Sequence, residues 1–333
     1  PRLQAAAEAA MAEYGTSVSA SRLVAGERPF HQALESALAD VYGADDAITF
    51  VSGHATNVAT IGYLFGPRDL IVHDALIHNS ALVGIELSGA QRRSFAHNDF
   101  DALESLLADQ RAGYDRVLIV LEGLYSMDGD VPDLARATEL RDRFGAFLMV
   151  DEAHALGVVG ERGLGSWEAC GIDPGDVDIW MGTLSKTLSS CGGYIAGASA
   201  LIEMLRYGAP GFVYSVGLAP PMAAAAHTAL EIMRTEPERV ERLQANGRHF
   251  IESARQRSID TGYSQGYCVV PAILGSSIRA VRCSNALLAA DINVQPIIHP
   301  AVEERAARLR FFLSCDHTTG QIDNALDALR SCS

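Results

Sequence analysis

Residues 146–154 read AFLMVDEAH, an apolar run without a break that stops on two carboxylates. A strand with one wet face alternates apolar and polar side chains, whereas a run apolar at every position suits a strand covered on both faces, as in a parallel sheet flanked by helices. Five further runs share this texture: AITFVSG (47–53), DLIVHD (69–74), RVLIVLEG (116–123), VDIWMGT (177–183) and GGYIAG (192–197). Helical patterns occupy 30–42, 55–64, 79–88, 100–111, 133–144 and 199–206 between them. The alternation predicts an α/β fold, doubly wound or close to it, with a mostly parallel central sheet flanked by helices.

Past FVYSVGLAPP (212–221) the texture changes. A long helical stretch over 222–257 leads to strand-like YCVVPAIL (267–274), NVQPII (293–298) and RLRFFLS (308–314), with helices at 281–290 and 319–331. This predicts a large domain over 1–225 and a smaller C-terminal α+β domain over 226–333. The opening PRLQAAAEAAMAEYG (1–15) has a helical pattern without an initiator Met, an apolar signal core or a cleavage site, and is expected to belong to the fold rather than to target the chain.

At 333 residues, 48% hydrophobic and 20% charged, the chain can bury a large core, which excludes disordered and fibrous classes. A net charge of −15 with no Lys/Arg-rich run argues against nucleic acid or an anionic membrane as partner. No apolar stretch reaches the ~18 residues of a transmembrane helix. Cysteines 170, 191, 268, 283, 315 and 332 form no CxxC pair, so thiols in a reducing, cytoplasmic compartment are expected, with neither a disulfide frame nor a metal site.

In an open α/β sheet the ligand sits outside the carboxyl ends of the strands. The polar residues just past the apolar runs are Ser52-Gly53-His54, His78, Glu122 and Ser126, Asp151 and His154, and Thr183, Ser185 and Lys186. Lys186 is singular, because the other 25 basic residues are all arginine. A desolvated lysine can lose its proton and form a Schiff base with a carbonyl, which arginine cannot. A bias toward arginine explains the 25 and not the exception, although position alone also fits a surface lysine. Asp151 can hold a pyridine nitrogen protonated and make the ring an electron sink, or simply cap a helix. His154 can bond a phenolic ring oxygen or sit satisfied in a core. Ser52-Gly53-His54 leads from strand to helix, where free N–H groups and a positive helix end suit a phosphate, as a plain turn also would. Thr183 and Ser185 add hydroxyl donors, and His78 can stack on a flat ring. The DEAH sequence lacks a preceding GxxxxGK[ST] loop, so it does not read as a helicase. Schiff-base lysine, pyridine-pairing aspartate, phosphate turn and stacking histidine together describe a pyridoxal 5′-phosphate (PLP) site.

The chain also resembles a known family from about Tyr14 onward. The segments that carry this are SRLVAGERPFHQALE (21–35), FVSGHATN (50–57), HDALIHNS (73–80), FAHND (95–99), EGLYSMDGD (122–130), VDEAHALGVVGERGLG (150–165), GTLSKT (182–187) and RLRFFLSCDHT (308–318). They are similar to the α-oxoamine synthases, the group that holds 8-amino-7-oxononanoate synthase, 2-amino-3-ketobutyrate ligase, 5-aminolevulinate synthase and serine palmitoyltransferase, within the aspartate aminotransferase superfamily of fold type I. The resemblance implies that Lys186 carries PLP, Asp151 pairs with the pyridine nitrogen, His154 and Ser126 reach the ring hydroxyl, and His78 stacks on the ring and faces the substrate. It gives the phosphate to Gly53, His54 and Thr183, with Ser215 contributed by the neighbouring subunit of a homodimer. Glu122 orients the Ser126 side, and Arg310 binds the amino-acid carboxylate. The implied reaction is a decarboxylative Claisen condensation of an L-amino acid with an acyl thioester, on coenzyme A or an acyl carrier protein, to an α-amino ketone, CO2 and free thiol. Lys186, His78 and Asp151 carry its chemistry.

Three departures stand out. Ser19 and Ala20 replace the family's usual glycines, Ala301 replaces a usual threonine, and the segment that precedes Pro1 in the family is expected to be missing. NVQPIIHPAV and RLRFFLS lean toward serine palmitoyltransferase-like or polyketide-associated members. An aminotransferase shares the lysine and aspartate but not EG.YSMDGD. A non-catalytic partner subunit would lack the lysine. An excised domain of a multienzyme would take its acyl group from a carrier protein.

Overall fold

The computed structural model describes residues 1–332. The described residues form two compact units, one made of 1–124 and 132–235, the other of 125–131 and 236–332.

In the first unit, helices α1 (Arg2–Tyr14) and α2 (Pro29–Tyr42) precede strand β1 (Asp46–Phe50), and the chain continues through α3 (Gly53–Leu64), β2 (Leu70–Asp74), α4 (Asn79–Ser88), β3 (Gln91–Phe95), α5 (Phe100–Gln110) and β4 (Val117–Glu122). Then follow α6 (Leu134–Phe144), β5 (Phe147–Asp151), α7 (Ser166–Cys170), β6 (Ile179–Thr183), β7 (Gly193–Gly197), α8 (Ser199–Gly208), α9 (Pro210–Val213) and α10 (Pro220–Thr235). Seven strands make one sheet in the order β1-β7-β6-β5-β4-β2-β3. The continuous apolar runs are explained by its two covered faces: Val117, Ile119 and Leu121 of β4 enter one hydrophobic cluster, while Leu118 and Val120 enter the other.

Two strands depart from the sequence reading. GGYIAG, expected in the parallel set, is β7, antiparallel to both β1 and β6. Only residues 184–192 join it to β6, fewer than the dozen or so that a parallel crossover needs, so the chain must turn straight back. β3 has no apolar run to announce it. Its QRRSF is exposed at four of five positions and runs along the sheet's edge, where no apolar run is required.

The motif at 21–35 has a local structural role. Glu35 on α2 accepts from Arg22 Nη1 at 2.8 Å and from the Thr49 backbone N–H of β1 at 2.7 Å. That buried pair ties the end of β1, and so the turn that follows it, to α2. Ser19, where the resemblance expects glycine, adopts φ 54°, the left-handed region a glycine would occupy more cheaply.

The second unit holds α11 (Glu238–Gln256), β8 (Val269–Ile273), α12 (Ser277–Ala289), β9 (Gln295–Ile297), β10 (Arg308–Phe312) and α13 (Thr319–Cys332), with an antiparallel sheet in the order β8-β10-β9. The expected boundary at 225/226 falls inside α10, which packs on α1 and α2 and stays with the first unit. The expected helix over 222–257 is two helices, interrupted at Glu236-Pro237 because proline has no N–H to continue the ladder. The YSMDGDV segment, 125–131, joins the second unit through bonds that sequence distance hides. Arg308 Nη1 reaches Asp128 Oδ1 at 2.6 Å, Arg310 Nη1 donates to the Ser126 carbonyl at 3.0 Å, and the Gln265 N–H donates to the Gly129 carbonyl at 3.1 Å. The cysteines also depart from expectation. Cys283 and Cys332 are joined as a disulfide between α12 and α13, with Cα atoms 5.3 Å apart, while 170, 191, 268 and 315 remain thiols.

Candidate active site

The carboxyl ends of β1, β4, β5 and β6 converge on a cavity of about 360 Å³. Its lining brings together Gly53, His54, His78, Glu122, Asp151, His154, Thr183, Ser185 and Lys186, all singled out from the sequence and all in the first unit.

Each is placed by a local rule. Ser52 caps α3 by accepting from the Ala55 N–H, so Gly53 and His54 open the helix with their backbone donors toward its N-terminal end. Gly53 is required there by close approach, since a Cβ would lie 2.7 Å from Thr183 Oγ1. Thr183 Oγ1 shares a 2.9 Å hydrogen bond with Ser185 Oγ and accepts from the Ser185 N–H at 3.3 Å, which gathers two hydroxyls beside the same helix end. His78 caps α4, accepting from the Ser80 N–H through Nδ1.

Asp151 ends β5 in register with Glu122 at the end of β4, and both are buried. The Asp151 carboxylate accepts from the Ala153 N–H at 3.0 Å and from Asn57 Nδ2 at 2.9 Å. Lys186 lies in the short β6–β7 connection and is exposed at the cavity, so desolvation by the protein's own atoms, which the sequence reading assumed, is not what surrounds it.

Three expected residues are not lining residues of this cavity. Ser126 and Arg310 belong to the second unit, bonded to each other as described. Ser215 lies in a shallow surface hollow with Ser19, Ser21, Leu23, Val24, Tyr214 and Val216.

The sequence reading passed over Asn57, Ser80 and Glu152. Asn57 stands four residues after Gly53, one helical turn on and hence on the same face of α3, a spacing that marks it in retrospect. Glu152 is fully buried behind Asp151, where its carboxylate accepts from the Ser166 N–H at 3.0 Å and bonds the Ser166 hydroxyl. Burial pushes its pKa up to about 7; the Ser166 hydrogen bonds pull the other way, and the neighbouring Asp151 charge adds to the rise.

The donor set suits PLP. A helix N-terminus with two adjacent hydroxyls matches a phosphate, a buried carboxylate matches a protonated ring nitrogen, and an amine on the adjoining loop matches the aldehyde. These features define a fold type I PLP enzyme. The family model for class I and II aminotransferases matches residues 2–329. The 8-amino-7-oxononanoate synthase of Anaeromyxobacter sp. (strain K) is 41% identical over 329 residues, covering 99% of this chain and 82% of that protein. That of Symbiobacterium thermophilum is 38% identical over 328 residues, covering 98% and 83%. Among solved structures, the serine palmitoyltransferase of Sphingomonas wittichii superposes with a TM-score of 0.95 at 31% identity, covering 100% of this chain and 83% of that one. The serine palmitoyltransferase of S. paucimobilis, solved with PLP and myriocin, gives 0.95 at 29% over the same shares. The chain belongs to the class I and II aminotransferase family and, within it, to the α-oxoamine synthases, PLP-dependent acyltransferases.

Proposed function

We propose that this α-oxoamine synthase joins a small L-amino acid to an acyl thioester with loss of CO2, and that the cavity at the strand ends is where it does so. The observation that carries the proposal is the gathering of Lys186, Asp151, His154 and His78 around one cavity whose rim is a helix N-terminus with two hydroxyls. Bound PLP supplies an electron sink for the Cα carbanion. The rest is the work of this chain's residues. Gly53 and His54 N–H groups with the Thr183 and Ser185 hydroxyls hold the phosphate, Asp151 pairs with the ring nitrogen, and His154 and Ser126 orient the ring hydroxyl beside Glu122. Lys186 Nζ anchors the cofactor, then as a free amine takes the Cα proton. Arg310 holds the substrate carboxylate with its two-pronged guanidinium. His78 covers the ring and donates to the thioester carbonyl as negative charge develops.

A homodimer is part of this reading, with Ser215 of one copy reaching the phosphate in the other. The hollow around Ser215 supports it, because Val24 and Tyr214 are 81% and 86% exposed there, and large apolar side chains in contact with water favour a covering surface. No described helix is long and apolar enough to cross a membrane. The cytoplasmic location expected from the sequence is kept as part of the proposal, with Cys170, Cys191, Cys268 and Cys315 as thiols in its favour and the Cys283–Cys332 disulfide against it.

Two acyl classes compete. Identities of 38–41% favour the 8-amino-7-oxononanoate synthases reported above, named for a nine-carbon acid with an amino group beside a ketone. The backbone fits serine palmitoyltransferase more closely, at 0.95 against 0.85 for the 8-amino-7-oxononanoate synthase of Francisella tularensis. The test incubates holoenzyme with alanine, serine or glycine and with acyl thioesters of graded length on coenzyme A or carrier protein, and follows free thiol and CO2. Stoichiometric release of both from one pair supports the proposal. Transfer of the amino group to a keto acid, with neither product, refutes it.

A further inference from the structure

Asn57 is 1% exposed, and both hydrogens of its Nδ2 are used: one bonds Asp151 Oδ2 at 2.9 Å, the other Ser80 Oγ at 2.9 Å. Its Oδ1 is buried without a hydrogen-bond partner. Turning the amide over would cure nothing, because it would aim that oxygen at the Asp151 carboxylate, which only accepts.

The bonds beyond it have a forced direction. Ser80 Oγ accepts from Asn57 Nδ2, which orients the hydroxyl, and the Ser80 hydroxyl lies 2.7 Å from His78 Nδ1. The Ser80 backbone N–H also points at Nδ1, at 3.3 Å, and a backbone N–H can only donate. Nδ1 therefore faces two donors and carries no proton of its own.

We propose that Asn57 is a positioning residue whose amide ties Asp151 to Ser80 and, through the Ser80 hydroxyl, fixes His78 with its ring proton on Nε2. The significance for catalysis rests on the proposed function: the carboxylate under the ring and the histidine over it are set by one amide, and His78 is ready to donate from Nε2. The tautomer itself is a property of the protein without substrate. It also explains why Ser80, two residues past the histidine, is 1% exposed while His78 is open to the cavity.

The test is 15N NMR of the imidazole nitrogens in cofactor-free protein, with His78 assigned among the ten histidines by the signal missing in His78→Gln. Wild type is expected to show an unprotonated, hydrogen-bonded Nδ1. Asn57→Leu removes the donor that orients the Ser80 hydroxyl, and Ser80→Ala removes the hydroxyl itself. In each, the ratio of Nδ1–H to Nε2–H forms is expected to rise roughly tenfold, as loss of one buried hydrogen bond implies. Ser80→Thr keeps the hydroxyl and is expected to restore the wild-type ratio. In the holoenzyme kcat is expected to fall about tenfold or more in both disruptive variants, with KM for the amino acid changed less than about twofold. A wild-type proton on Nδ1, or an unchanged ratio in Asn57→Leu and Ser80→Ala, overturns the proposal; so does a fall in kcat with the tautomer unmoved. Failure to form thiol and CO2 with any substrate pair refutes the function instead and leaves the tautomer result standing.

Discussion

Replacing Glu152 by glutamine is expected to remove a pH-dependent loss of stability from the first unit. The Glu152 carboxyl is fully buried, and its pKa stands at about 7 against an ordinary 4.5. The folded state therefore keeps the proton up to higher pH than the unfolded state does. Between these two values the unfolded chain binds fewer protons than the folded one, so stability falls as pH rises from about 4.5 through 7 and is level above. The separation converts to about 3 kcal/mol. The side chain introduced by Glu152→Gln has the same shape, can accept from the Ser166 N–H and donate to its hydroxyl, and does not titrate. It also fits a space with no slack, since a Cβ on Gly165 would lie 1.9 Å from the Glu152 carboxylate. Thermal unfolding of cofactor-free protein between pH 5 and 8.5 provides the assay, because bound PLP would add its own linkage. At about 2–4 °C per kcal/mol for a unit of this size, the Tm advantage of Glu152→Gln over wild type should grow by roughly 6–12 °C across that range. Parallel Tm curves would refute the reasoning and show that Glu152 is ionised in the folded protein.

Three further outcomes are expected. Borohydride treatment of the holoenzyme should fix one PLP per chain on the peptide that contains Lys186, the sole lysine, and Lys186→Ala should lose both the label and turnover; label on another peptide removes Lys186 from its role. Gly53→Ala places a methyl 2.7 Å from Thr183 Oγ1 and should weaken PLP binding at least about tenfold, read by titrating apoenzyme at the cofactor's visible band, an unchanged Kd being the adverse result. Arg308→Met strands the buried Asp128 carboxylate and should cost roughly 3–5 kcal/mol in denaturant unfolding of the second unit, with part recovered in the double variant Arg308→Met/Asp128→Leu; equal loss in single and double variants would deny the pairing.

Much of the site is legible in the sequence because it is local. A residue that ends a buried strand, as Asp151 does, or opens the next helix, as Gly53 does, is marked by the apolar run beside it, and the DEAH and GTLSKT segments carry their chemistry within a few positions. Asn57 escapes such a reading because its meaning lies in Asp151, 94 positions away. Glu152 reads as part of a motif, yet its raised pKa comes from burial and its hydrogen bonds from Ser166, which no local pattern reports.

By itself the sequence determined the buried strand runs, the helices between them and the singular lysine, which follow from periodicity and from residue types at short spacing, while its motifs carried the resemblance to the family. The tertiary structure alone decided that β7 runs antiparallel, that 125–131 leaves the first unit for the second, that Cys283 meets Cys332, and which nitrogen of His78 holds the proton. The physical reason is the same in each case. Direction, docking and protonation are settled by partners distant along the chain, and a hydrogen bond or a dielectric has no signature in the sequence until folding brings its two sides together.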